Sequence, residues 1–227
     1  MKKILLIGVL VAVGAQFVFA DIVQGGLETS VSAGVNIPIS YSESGVSFYG
    51  NNMKAYNSMS TGADLNVSSV YGIANGTGIG LGIGVLTLTP TVNSAFDNAV
   101  KSVTLGQFST PSQMNIVPIY VEFKQEFSKY QMNPFVVAKA GYAFSTNPKQ
   151  NFIYDSNGDS FSETYGDGLY ISGGLGAYIT QNIFAEADIN YYQSSANLTF
   201  NGPFVGNFTT TDNINIFTTG LQLGYTF

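Results

Sequence analysis

The chain has 227 residues, only 10% of them charged, with fourteen acids against eight basic residues and a formal net charge of −6 at pH 7. A water-soluble domain carries nearer a quarter charged residues, so the deficit implies an exterior that largely avoids water. With acids outnumbering lysines and no Arg, the chain is not expected to bind nucleic acid, and the absence of Cys and His removes disulfides and argues against triad-type hydrolysis.

The chain opens Met1-Lys2-Lys3, followed by an apolar run from Ile4 to about Phe19 and then Ala20. This order of charge, apolar run and small residue is that of a secretory signal peptide, and the run is short for a membrane-spanning helix. Cleavage after Ala20 is expected, leaving residues 21–227 as one domain. Six lysines then face fourteen acids.

Period-2 alternation, the mark of a strand with two unlike faces, recurs eight times. The first strand is expected over about Leu27 to Ile39, with Val31, Ala33, Val35 and Ile37 on one face and Glu28, Ser32 and Asn36 on the other. The second covers about Ala63 to Ile73 and the third about Ile79 to Thr89, where Ile and Leu alternate with Gly80, Gly82 and Gly84. The fourth spans about Ile116 to Phe127 and the fifth about Phe135 to Phe144. The sixth covers about Leu169 to Thr180, the seventh about Ile183 to Tyr192, and the eighth about Asn213 to Phe227. The connections alternate in length. Ser40–Thr61, Pro90–Met114, Ser145–Asp167 and Gln193–Asp212 are long, whereas Ala74–Gly78, Ser128–Pro134 and Gln181–Asn182 are short.

Strict alternation of long and short connections is the order of an up-and-down transmembrane barrel, with long loops outside and short turns in the periplasm. The expected fold is therefore all-β, an eight-stranded antiparallel barrel with four long extracellular loops and three short periplasmic turns. Three features assign the apolar face to lipid. Glu28, Asp64, Glu122, Lys124, Lys139, Glu186 and Asp188 share the opposite face, where Gly and Ser are also frequent, as suits a narrow interior. Aromatics such as Phe123, Phe127, Tyr142, Phe144, Tyr191, Tyr225 and Phe227 lie near strand ends and are placed to form two interfacial girdles.

The stretch Phe217 to Phe227, with Leu221, Leu223, Tyr225 and Phe227 at alternate positions, resembles the terminal strand of Gram-negative outer-membrane barrels. Val117-Pro118-Ile119-Tyr120-Val121 and Lys139-Ala140-Gly141-Tyr142 resemble middle strands of small OmpA/OmpX/OmpW-like barrels. The resemblance implies an outer-membrane location, a terminal strand recognised by the barrel-assembly machinery, and no shared catalytic motif. It also implies a chain without the peptidoglycan-binding domain of longer relatives.

Within the interior set a Glu122–Lys139 pair on adjacent strands is expected. The charges are either a polar plug or a gate for cations. Asp155, Asn157 and Asp159 have a calcium-like spacing, but Ser160 stands where a sharp-turn Gly belongs, so an acidic surface turn is the plainer reading. Asn66, Asn75, Asn197 and Asn207 begin chance glycosylation sequons. No cofactor and no enzymatic activity are expected. The leading functional reading is a monomeric structural or surface-interacting barrel whose loops meet an extracellular or host ligand. The alternatives are a narrow channel for small or hydrophobic solutes and a soluble lipocalin-like carrier.

Overall fold

A computed structural model describes residues 22–48, 51–104, 113–127, 133–146, 150–153, 160–202 and 206–227. The signal-peptide segment and the calcium-like positions Asp155, Asn157 and Asp159 lie outside these residues.

In chain order the elements are β1 (Leu27–Glu43), β2 (Val46–Phe48), β3 (Asn51–Met53), β4 (Tyr56–Met59), β5 (Gly62–Ala74), β6 (Thr77–Leu88) and β7 (Pro90–Val92). The helix α1 (Ser94–Thr104) follows, then β8 (Met114–Glu126), β9 (Pro134–Ser145), β10 (Gln150–Ile153), β11 (Ser160–Gly166), β12 (Gly168–Tyr178), β13 (Ile183–Asn201) and β14 (Phe208–Thr226). Strands β1, β5, β6, β8, β9, β12, β13 and β14 pair with their neighbours in that order, all antiparallel. The ring closes where β14 pairs with β1, Leu221 lying opposite Val35. Closure leaves no unpaired strand edge, the requirement for β structure in lipid.

Side chains sort as the pleat dictates. Leu81, Leu175, Leu221 and Leu223 are 61–67% exposed on the outside, while Glu28, Lys139 and Asp188 are at most 5% exposed within. Apolar outside and polar inside is the inverse of a soluble carrier. On β1 the exposed apolar positions run from Leu27 to Ile39, and on β14 from Phe217 to Tyr225. Rings collect at both margins of this belt. Tyr225 packs against Phe227 at 5.0 Å near the short turns, and Tyr142 against Phe144 at 5.2 Å near the long connections. Tyr71, Tyr142 and Tyr225 are exposed there, as interfacial aromatics are.

The short connections are tight. Asn75-Gly76 joins β5 to β6, and Gly76 takes a φ of 75° that glycine adopts without strain. The chain before β1 seals this turn end. Ile22 is buried, its N–H donates to Glu126 Oε2 at 3.0 Å, and its carbonyl accepts from the Gly76 N–H at 2.8 Å.

The long connections, expected as loops, contain strands and a helix. Gln193–Asp212 is mostly strand: β13 and β14 are 19 residues each and run paired to Phe200 opposite Phe208. Strand β11 continues the line of β12 along β13, and β10 pairs with β11. The other two connections form a cap, in which β4 pairs with β7. Asn93 begins α1, its side-chain oxygen accepting from the Ala95 N–H at 2.9 Å, an N-terminal cap. These elements form because apolar residues within polar segments, Tyr56, Met59 and Phe96, turn inward over the barrel mouth and are buried.

Glycines let the interior rings lie flat. A Cβ on Gly224 would stand 2.1 Å from the Phe184 ring, and one on Gly176 2.1 Å from the Phe135 ring. Gly224→Val is therefore expected to displace Phe184 and destabilise the barrel by about 1–3 kcal/mol, the usual cost of overpacking. Urea titration in detergent micelles, followed by gel mobility of unboiled samples, checks this.

Candidate functional site

All seven charged residues assigned to the interior are buried, at 3–8% exposure. They come from β1, β5, β8, β9 and β13, whose inward positions meet because the strands enclose a narrow bore. Eight strands leave an interior that side chains can fill.

They do not form one network. Nearest the short turns, Lys124 Nζ binds Glu28 Oε1 at 2.6 Å and the Tyr178 hydroxyl at 2.7 Å, with Glu126 Oε1 at 3.3 Å. The same ammonium lies 4.7 Å from the Phe135 ring centroid and 4.9 Å from that of Tyr178, close enough for cation–π attraction. Glu126 was not foreseen from sequence, although its inward parity with Glu122 and Lys124 on β8 was a usable signal.

One layer further in, Lys139 Nζ binds Glu186 Oε1 at 2.8 Å. This corrects the expected Glu122–Lys139 pair. Those residues are cross-strand neighbours, but the ammonium reaches past β12, where Ser172 and Gly174 are small, to β13, and Glu122 Oε2 has no hydrogen-bond partner. Asp64 and Asp188 belong to a third layer built of carboxamides. Asp188 accepts from Asn190 Nδ2 at 2.6 Å and Gln222 Nε2 at 2.5 Å, and Asn66 Nδ2 donates to Asp64 at 2.9 Å. Ser32 to Gln222 at 2.7 Å and Thr218 to Asn36 at 2.7 Å tie this layer across the β1–β14 seam.

Together the layers block the bore. Among Ser30, Ser32, Glu122, Lys124, Lys139 and Glu186 lies a cavity of about 10 Å³, room for roughly one water. Tyr120, Tyr170 and Tyr192 then mark a change to apolar lining. Leu86, Leu88, Met114, Ile116, Ile214 and Ile216 fill the loop-side half with Met59, and above them Ala55, Tyr56 and Phe96 pack against Leu198 and Phe200.

A second carboxyl site, absent from the sequence reading, holds this cap. Glu43 lies beyond Ile39 at the outer end of β1, outside the apolar belt. Its carboxyl accepts from the Ala55 N–H at 2.6 Å, the Tyr56 N–H at 3.1 Å and the Tyr41 hydroxyl at 2.9 Å. Asp212 of β14 accepts from the Ser44 hydroxyl at 2.6 Å and the Gly45 N–H at 3.0 Å. Burial, and the Asp212 carboxyl beside it, push the Glu43 carboxyl up to about 8. Nothing in the local sequence marks these two acids, which lie far apart in the chain.

The expected assembly signal lies on the outer surface of β14. Leu221, Leu223 and Tyr225 are exposed at 44–61%, and the Phe227 N–H donates to the Thr29 carbonyl at 2.9 Å.

No family model and no curated protein sequence matches the chain. Among solved structures it is similar to the outer membrane protein OprG from Pseudomonas aeruginosa, with a TM-score of 0.61 at 15% identity over 90% of this chain and 98% of that one. It is also similar to the outer membrane protein AlkL solved in lipid bilayers, with a TM-score of 0.51 at 12% identity over 94% of each chain. Eight closed antiparallel strands, an apolar outer belt and these two likenesses agree: the chain has the fold of the small eight-stranded outer-membrane β-barrels.

Proposed function

We propose that this chain is exported, inserted into the bacterial outer membrane as a monomer, and serves there as a closed barrel displaying a structured outer cap for surface interaction. The observation that carries this reading is the blocked bore. Two buried lysines, their carboxylate partners and a carboxamide layer leave room for about one water, so the polar interior works as a plug. What remains for interaction is the raised wall of β10, β11, β13 and β14 with the cap of β4, β7 and α1, the part of such a scaffold where binding usually resides. Recognition of Leu221, Leu223, Tyr225 and Phe227 by the barrel-assembly machinery belongs to the same proposal, as does the absence of enzymatic activity.

Conductance in planar bilayers tests it. Protein that shows the folded, unboiled gel mobility is expected to give no current steps in potassium chloride at neutral pH. Steady ohmic steps from the same material overturn the plug.

A second reading, passage of a hydrophobic solute, is favoured by the apolar loop-side half, where Leu86, Met114, Ile116 and Ile214 face the bore. It predicts uptake of an apolar dye into vesicles without ionic conductance.

A further inference from the structure

Two buried carboxyl groups meet at the outer mouth, and each holds a different piece of the cap. Glu43 receives the backbone N–H groups of Ala55 and Tyr56, where β4 begins. Asp212 receives the Ser44 hydroxyl and the Gly45 N–H, in the bend that leads from β1 to β2. Glu43 and Asp212 are 8% and 0% exposed and lie beside each other where β1 pairs with β14. Two carboxylates sharing a buried site are not both ionised without cost, so a proton on one of them is favoured. Asp212 Oδ2 has no hydrogen-bond partner.

The titratable groups facing Glu43 are Tyr41 on its own strand and Asp212 on β14, with Tyr165 of β11 beside Tyr41. The ion pairs among the described residues involve Lys101, Lys124 and Lys139, and none reaches this pair. Among the described residues no ammonium pairs with either carboxyl to neutralise a second negative charge here.

We infer that Glu43, with Asp212 beside it, forms a proton-operated latch that seats the segment Ala55–Met59 in the barrel mouth and releases it when the Glu43 proton is lost. The segment is the stopper of the apolar half: Tyr56 is 1% exposed and Met59 6%. With the proton present, one neutral and one anionic carboxyl satisfy all the donors that meet them. Without it, two adjacent buried anions repel, and like charges sharing a site are strongly disfavoured. Lifting Ala55 and Tyr56 admits water to the pair and uncovers Ile214 and Ile216 below.

The sign follows from linkage. Seating raises the affinity of Glu43 for its proton, so the seated state is fully favoured at acid pH. That preference declines as pH climbs from the ordinary carboxylate range and is lost through about 8.

Lys54 is exposed and immediately precedes the buried Ala55, so trypsin cleavage of the Lys54–Ala55 bond reports release. The full-length barrel in detergent micelles is digested between pH 6.5 and 9, with trypsin activity at each pH normalised on a small lysine ester. Cleavage after Lys54 in the wild type is expected to rise at least threefold across this range. In D212N, whose Oδ1 still accepts from Ser44 and Gly45 while its amide NH2 takes the place of the unpartnered Oδ2 and donates to Glu43, it is expected to stay low and flat. A smaller rise in the wild type overturns the latch, and so does a wild-type rise in D212N. Should D212N lack the folded gel mobility, D212S, which removes the second charge and keeps a hydroxyl acceptor, is read by the same two criteria.

Discussion

Replacing Lys124 with methionine is expected to destabilise the barrel by about 3–5 kcal/mol, the cost of removing one partner from a buried ion pair. Methionine keeps much of the stem volume, so what is lost is charge. Glu28 and Glu126 then remain buried on β1 and β8 without the ammonium that holds both, and the Tyr178 hydroxyl loses its acceptor-sharing partner at 2.7 Å. The rings of Phe135, Tyr178 and Phe184, which surround the ammonium at 4.7–5.9 Å, close around a neutral group and give nothing back. Urea titration in micelles, read by gel mobility because the chain has no Trp, measures the change. Adding Glu28→Gln to Lys124→Met is expected to recover part of the loss, since a neutral amide replaces one stranded anion. A loss below about 1 kcal/mol in the single variant contradicts a buried pair of this kind and assigns the site the value of a solvated surface bridge.

The second large effect is on the opposite side of the same wall. Leu221 stands midway along the exposed apolar run of β14 and is 61% exposed. Leu221→Arg places a guanidinium at the centre of the belt, where such a charge in a membrane barrel costs about 2–4 kcal/mol. Asn213→Arg, on the same strand beyond the belt, is expected to change stability by no more than about 0.5 kcal/mol, as for an ordinary surface substitution. The contrast is measured by urea unfolding in lipid vesicles. Equal and small effects at both positions mean that the exposed leucines face water, and the outer-membrane proposal falls with them.

The alternation of Leu27 to Ile39, or of Ile183 to Tyr192, shows which residues face each way because a pleated strand has a fixed period of two. Strand count, order of turns and the inward set of charges follow from it. Pairing within that set does not. Lys139 has Glu122 beside it on the next strand and Glu186 two strands away, and a long side chain on a curved wall chooses by reach past the small residues Ser172 and Gly174 of β12, which depends on the register and curvature of three strands. The extension of β13 was legible in principle: Ala196, Leu198 and Phe200 alternate with Asn197 and Thr199. It reads as loop because above the belt the outward face turns polar and the exposed apolar signal stops. Glu43 and Asp212, and the seating of Tyr56 and Phe96, leave no local trace. Their contacts join segments that approach only once the barrel has closed.

That closure has a consequence in time. The seam between β1 and β14 is held by bonds such as Ser32 to Gln222, residues 190 positions apart in the sequence. A contact between such distant partners brings no benefit until the intervening chain has been brought round, so the ordering cost comes first and the reward last. Every other neighbour pairing in the ring joins strands consecutive around it and near in sequence, and these can accumulate hairpin by hairpin. Loop-closure cost therefore places the seam last, and its formation completes the carboxamide layer of Asn36, Asp188 and Gln222. Until then the two outermost strands present raw edges and half-built polar clusters to their surroundings, and the chain is at its most vulnerable to aggregation just before it becomes most stable.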